Sequence, residues 1–265
     1  METREPFLDA EKLRAATFVR YIEIHDTLGS TNDRAKDLAR ETNIQLPALV
    51  VARQQTAGKG RGQNKWWSAD GALTFSVLLD PAAHGIISAK WPQLSLTTAV
   101  AICDVLQREA LGLAVAIKWP NDVMIDGRKV CGVLIESPSG TLPTKNRLII
   151  GIGINVNNSW RSAPRDFGPN GTALCDVTGM RHDLQYVLIG TLREMNERFL
   201  QLARSDSRLP DTWQKHCWLT EQDVDVHAGD RWFTGVCLGI DSDGALIVDD
   251  KNGVHRIRSG SVRVV

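Results

Sequence analysis

Hydrophobic and polar positions along the chain switch repeatedly between a period of two and a period near 3.6. Residues 18–24 alternate and are aromatic or β-branched, which predicts a strand. Ser30-Thr31-Asn32-Asp33 follows, with the Ser-x-x-Asp spacing of a helix start and capping pair. Ala35, Leu38 and Ala39 then mark the buried stripe of a helix reaching about Glu41. The apolar runs 47–52 and 72–79 have strand length. Leu94 to Leu111 carries helical spacing and stops at Gly112, a C-cap signal. Residues 114–119 form a further predicted strand, ended by Pro120-Asn121-Asp122. Segments 123–125 and 130–136 flank Asp126-Gly127, a hairpin signal. Residues 148–156 read as a strand rich in Ile and Gly, with an outward edge that could pair into a homodimer. Helices are predicted around 8–15, over 184–203 and over 209–217.

Beyond Leu219 the texture changes. Short strands at 223–226, 231–238, 245–249 and 254–265 are separated by glycine-containing turns, the pattern of a small barrel. The chain therefore reads as an α+β domain with a mixed or mostly antiparallel sheet over 1–218, then a small all-β domain over 219–265.

Composition narrows the function classes. The 265 residues carry 31 Lys+Arg and 31 Asp+Glu, and this zero net charge argues against a protein built mainly to bind nucleic acid or an anionic membrane. The longest charge-free runs, 91–103 and 148–160, are too short to span a bilayer. The start Met1-Glu2-Thr3-Arg4-Glu5 lacks the apolar core of a signal peptide, so a cytoplasmic protein is expected. Five scattered cysteines without C-x-x-C predict reduced thiols, and six dispersed histidines predict no transition-metal site.

Four clusters could carry chemistry. Gln54 through Ser68 alternates Gly58, Gly60 and Gly62 with Lys59 and Arg61 and ends in Trp66-Trp67. Backbone N–H groups and cations there could cradle an anion, or the segment could be a solvated loop. It is no Walker loop, because Arg53 and Gly60 stand where Gly and Ser/Thr are required. It is no dinucleotide fingerprint, because Gln63 replaces the third glycine. Lys118-Trp119-Pro120-Asn121-Asp122 brings a cation, an amide and a carboxylate to one turn. Arg128 to Glu136 places Lys129 at the mouth of an apolar strand, with Gly132 inside it. Gly151 and Gly153 in one strand call for something packed against the backbone, from the core or from a ligand.

In this order and spacing, Ser30-Thr31-Asn32, Gln55–Ser68, Lys118–Asp122, Lys129–Glu136 and Gly151–Asn155 resemble the biotin protein ligase family, over roughly residues 20–265. The resemblance implies a catalytic domain like that of class II aminoacyl-tRNA synthetases, followed by an SH3-like barrel. It implies an ATP-dependent ligase that forms biotinyl-5′-AMP and passes biotin to a lysine of a biotin carboxyl carrier domain. By position it makes Ser30, Thr31 and Gln55 polar residues of the biotin pocket, and Gly58, Lys59, Gly60 and Arg61 a loop folding over biotin and the adenylate. Lys129 would hold carboxylate and phosphate, above a floor of Gly132 and Gly151. Arg61, Trp66, Lys118, Asn121 and Asn155 fall on the ATP side, and Asp122 would help with Mg²⁺. ATP and Mg²⁺ are then co-substrate and ion, with no tightly bound cofactor. Lys59 departs from the Arg of many bacterial members, giving up the bidentate fork for phosphate. About 18 residues precede the first predicted strand, room for one helix, which predicts a ligase and no DNA-binding repressor.

The chemistry suits these residues. Biotin's carboxylate is ionised at neutral pH, so adenylation needs charge neutralisation and alignment of two anions, with no general base. Competing readings are a lipoate-attaching ligase, an aminoacyl-adenylate enzyme acting on transfer RNA, which zero net charge disfavours, and a catalytically inert biotin-binding module.

Overall fold

The computed structural model describes residues 7–138 and 146–265. The charged start at Met1–Glu5 lies outside them. Strands β1 (Tyr21–Leu28), β2 (Ala48–Gln55), β3 (Ala72–Leu79), β4 (Val115–Lys118), β5 (Asp122–Ile125), β6 (Arg128–Glu136) and β7 (Leu148–Asn155) form one sheet in the order β1-β2-β3-β7-β6-β5-β4. The β1–β2 pair is parallel and every other pair is antiparallel, so the sheet is mixed. Helices are α1 (Ala10–Ala16), α2 (Thr31–Leu38), α3 (Leu94–Glu109), α4 (Leu174–Thr178), α5 (Leu184–Ala203) and α6 (Arg208–His216).

Alternation along the central strands decides where the site can be. Leu73, Phe75 and Val77 of β3 and Ile150, Ile152 and Ile154 of β7 join the main core with α3 and α5 residues. The intervening positions, Thr74 and Ser76 on β3 and Gly151, Gly153 and Asn155 on β7, are small or polar and face the other way. Register sets Thr74 opposite Gly153 and Ser76 opposite Gly151. On that second face α2 covers part of the sheet, through a satellite core of Ala35, Leu38, Ala39, Ala48, Val50, Leu78 and Ile149. Beyond it Trp66 lies against Gly153, and the rest of the face borders a cleft.

A second sheet of β8 (Asp223–Ala228), β9 (Arg231–Ile240), β10 (Leu246–Asp250), β11 (Gly253–Ile257) and β12 (Ser261–Val264) is antiparallel, in the order β11-β10-β9-β8-β12, an SH3-like arrangement. It is tied to the first. Fully buried Trp119 donates from Nε1 to the Gly244 carbonyl at 3.1 Å, and Gln214 Oε1 accepts from Ile240 N–H at 2.7 Å.

Several expectations need correction. The first strand begins at Tyr21, where pairing with β2 starts, because Phe18 instead packs edge-on against Phe199. Ser30 occupies the N-cap of α2 but makes no side-chain cap bond; Asp33 is drawn to Lys59 instead. The final predicted strand is two, β11 and β12, with Gly260 between them. A Cβ at Gly260 would stand 2.6 Å from the His227 carbonyl oxygen. Residues 148–155 offer no edge, because β7 lies between β3 and β6 and is buried throughout, which removes the basis given for a homodimer. The sheet edges are β1 and β4, and the β4 edge is covered where Trp218 N–H donates to Ile117 O at 2.8 Å. Helix α4 was not anticipated.

Candidate active site

This second face of the sheet floors a cleft of about 1020 Å³, walled by α2, by the glycine-rich segment after β2, by the β4–β5 turn and by one edge of the second sheet. Among the described residues its lining includes Lys59, Arg61, Lys65, Lys118 and Lys129 against only Asp122 and Asp166, so the cleft favours an anion.

Lys129, at the start of β6, reaches across to β5, where its Nζ lies 2.7 Å from Asp122 Oδ1. Register explains the pairing: Asp122 stands opposite Gly132, and a Cβ at Gly132 would sit 3.3 Å from Lys129 Nζ. The glycine is the gap through which the lysine passes. Burial lowers the pKa of Lys118, the last residue of β4, and the nearby Lys129 charge adds to this while Asp122 opposes it. Lys118 Nζ stands 5.8 Å from the Trp218 ring centre.

The two glycines of β7 are filled by the protein itself. A Cβ on Gly151 would overlap the Asn32 amide, and one on Gly153 would overlap the Trp66 indole. Trp66 thus lies flat on the strand, its ring centre 5.9 Å from Lys129 Nζ, with its Nε1–H buried and without a partner among the described residues. A buried orphan donor in a cationic cleft suits a ligand acceptor atom. Trp67 packs edge-on against Trp160 at 5.5 Å, and Trp160 covers Gly171.

The glycine-rich segment is a small hairpin. Trp66 N–H donates to Gly58 O at 2.9 Å, Gly60 N–H to Asn64 O at 2.8 Å, and Gly62 takes a positive φ of 64° at the tip. It is fastened on both sides of the cleft. Lys59 Nζ donates to Asp33 on α2 at 2.6 Å, and the Arg61 guanidinium donates to the Gly260 carbonyl of the second sheet.

Of the residues expected in the site, Ser30, Thr31, Gln55, Lys59, Gly60, Arg61, Trp66, Lys118, Asn121, Asp122, Lys129, Gly132, Gly151 and Asn155 all line this cleft. Gly58 does not; it forms the neck of the hairpin, where a Cβ would meet the Trp66 carbonyl at 2.5 Å. Two amides are already engaged. Asn121 Nδ2 donates to Val133 O at 2.8 Å, while Asn155 Nδ2 donates to Thr172 O at 3.0 Å and its Oδ1 accepts from Asn158 at 2.9 Å. Asp122 is a lone carboxylate paired with Lys129; among the described residues no three His, Cys, Asp or Glu side chains gather to hold a metal. Residues not anticipated include Ser76 below the floor, Trp160 and Phe167 beyond β7, and His227, Gly260 and Ser261 from the second sheet. The glycine turns signalled the second sheet, but nothing in its sequence showed which edge meets the cleft.

Comparison with known proteins agrees with this architecture. Residues 25–155 match the biotin/lipoate A/B protein ligase family, and residues 221–264 match the biotin protein ligase C-terminal domain. The chain is 32% identical to the biotin--[acetyl-CoA-carboxylase] ligase of Paracoccus denitrificans, over 88% of this chain and 96% of that protein. It is 31% identical to the bifunctional ligase/repressor BirA of Bacillus subtilis, over 95% of this chain and 76% of that one. The structure of the biotin protein ligase from Aquifex aeolicus in complex with biotin and ATP superposes with a TM-score of 0.80 and 28% identity, covering 93% of this chain and 100% of that chain.

Proposed function

The chain belongs to the biotin protein ligase family, and from that premise we propose that it activates biotin with ATP as biotinyl-5′-AMP and transfers the biotinyl group to a lysine of a carboxyl carrier domain. The observation that carries this reading is the convergence of Lys59, Arg61, Lys118 and Lys129 on one cleft, over a floor closed by Asn32 and by the unpartnered Trp66 indole.

In the first step biotin's carboxylate oxygen attacks the α-phosphorus and pyrophosphate leaves. Both reactants are anions, so the barrier contains their repulsion. Lys129 is placed to neutralise the meeting point. Fixed in its channel beside Gly132, it needs little reorganisation as charge develops. Mg²⁺ enters with ATP as part of the substrate, since it binds through phosphates and one or two carboxylates. The Asp122 carboxylate is available beside Lys129. In the second step the acceptor amine loses a proton and attacks the acyl carbon, forming the amide as the acyl–oxygen bond breaks and AMP leaves. Asp122, whose Oδ1 is paired with Lys129 at 2.7 Å, is the carboxylate nearest that position and is proposed to receive the proton. The hairpin over the cleft keeps water from the mixed anhydride.

A direct test is ATP–pyrophosphate exchange with biotin or lipoate as the acid. Exchange supported by biotin and not by lipoate is expected. Exchange supported by lipoate alone would move the chain to the other branch of the family.

A further inference from the structure

Beneath the cleft floor runs a string of polar side chains whose donor and acceptor roles can be worked out by elimination. Glu136, the last residue of β6, receives Asn32 Nδ2 at 2.7 Å and Lys36 Nζ at 2.7 Å. Asn32 is 4% exposed, and its Oδ1 lies 2.6 Å from the hydroxyl of Ser76, which is fully buried. The same hydroxyl lies 2.8 Å from Thr31 Oγ1.

As a carboxylate Glu136 only accepts, so the Asn32 NH₂ must face it and the Asn32 carbonyl oxygen must face Ser76. That oxygen also only accepts, so the single Ser76 proton goes to it. Ser76 then has lone pairs alone for Thr31, and the Thr31 hydroxyl must donate to Ser76. Thr31 Oγ1 is left at the cleft with acceptor capacity and no proton to give. Beside it, Thr31 N–H donates to Gln55 Oε1 at 2.6 Å, which fixes the Gln55 amide with its NH₂ as the free end. The floor therefore offers an acceptor next to a donor, complementary to a cyclic urea, whose N–H adjoins a C=O.

Resting on the biotin reading above, we propose that Glu136 is a positioning and specificity-determining residue: acting through Asn32 and Ser76, it sets the hydrogen-bond polarity of the floor so that Thr31 accepts from a ring N–H. A ring acid without that donor, such as one bearing a dithiolane, leaves the Thr31 acceptor unpaired in a buried place and is penalised. Glutamine at 136 removes the constraint, because its NH₂ can face Asn32, the Asn32 amide can then reverse, and every proton in the string reverses with it.

The test uses the full chain and measures affinity for biotin and for the two cyclic carbamates in which one ureido N–H is replaced by O, with melting curves for each variant. The wild type should prefer biotin over one carbamate by about 10-fold to 100-fold, the scale of one buried unpaired acceptor. Glu136→Gln should bring that ratio close to one, and Glu136→Asp, still an acceptor only, should restore part of it. Ser76→Ala cuts the string at another point and should collapse the ratio as well. Lys36→Met, which leaves the carboxylate in place, should keep it. If Glu136→Gln weakens biotin and both carbamates by the same factor, or leaves the ratio as it was, the proposal is overturned while the biotin reading stands. A wild type that binds no biotin would sink both.

Discussion

Gly151 and Gly153 shape the cleft by what their missing side chains admit. Asn32 lies in the first gap and Trp66 in the second. Gly151→Ala would drive a methyl group into the Asn32 amide, which Glu136 and Ser76 hold from two sides, so the strain has no soft outlet. Overpacking of this kind costs about 1–3 kcal/mol. We expect biotin affinity to fall about 10-fold or more in titration calorimetry; unchanged affinity would show that Asn32 can yield. On the proposed function, Lys129→Ala removes the cation assigned to the reacting phosphate and should slow adenylation about 10²–10³-fold in pyrophosphate release, the scale of one lost charge-stabilising donor. A near wild-type rate would take Lys129 out of that role. The glycines and Lys129 were legible in the sequence because breaks in an apolar strand pattern are conspicuous. The roles of Glu136 and Ser76 were not, since a polar residue at a strand end or within a strand carries no mark of the long-range partner it will meet.

Helix α2 and the glycine-rich hairpin are held by charges of unequal strength. Glu23 on β1 receives the Arg34 guanidinium at 2.8 and 2.7 Å, and also bonds Tyr21 and His25. The Arg34 bonds, reinforced by those from His25 and Tyr21 and opposed by burial, bring its pKa down to about 2. Because the folded value lies below the unfolded one, the contribution is complete above the ordinary glutamate range and is lost as pH falls towards 2. Acid titration of thermal stability should show that loss, and Glu23→Gln should flatten it; an identical acid limb in the variant would place the titration elsewhere. The hairpin's anchors, Lys59 to Asp33 and Arg61 to Gly260, are solvent-exposed and correspondingly weak. Arg61→Gly should raise the amount of free adenylate released per turnover, with binding of biotin alone much less affected. Unchanged adenylate release would contradict a retaining role. Most elements were readable from period and punctuation: β3 and α5 fall where the pattern puts them, and Asp126-Gly127 turns with φ of 46° and 73°. Strand order was not readable, because alternation tells which face is buried and not which neighbour is paired. That is why β7, read as an edge, proves to be interior.

At the scale of the whole molecule, the second sheet completes the cleft. Trp119 and Gln214 fasten it to the end of β4 and to α6, and its Gly260 receives the Arg61 side chain above the opening. Cleft-lining lysines on the first sheet and the Arg61 contact at Gly260 of the second bring both parts to one cleft. The most direct test incubates the full chain with ATP, Mg²⁺, biotin and a biotin-acceptor domain and weighs the acceptor by mass spectrometry. A gain of one biotinyl group on the acceptor lysine, dependent on ATP and lost in Lys129→Ala, is the predicted result. An acceptor of unchanged mass in the presence of bound biotin would contradict the ligase assignment and leave a biotin-binding module.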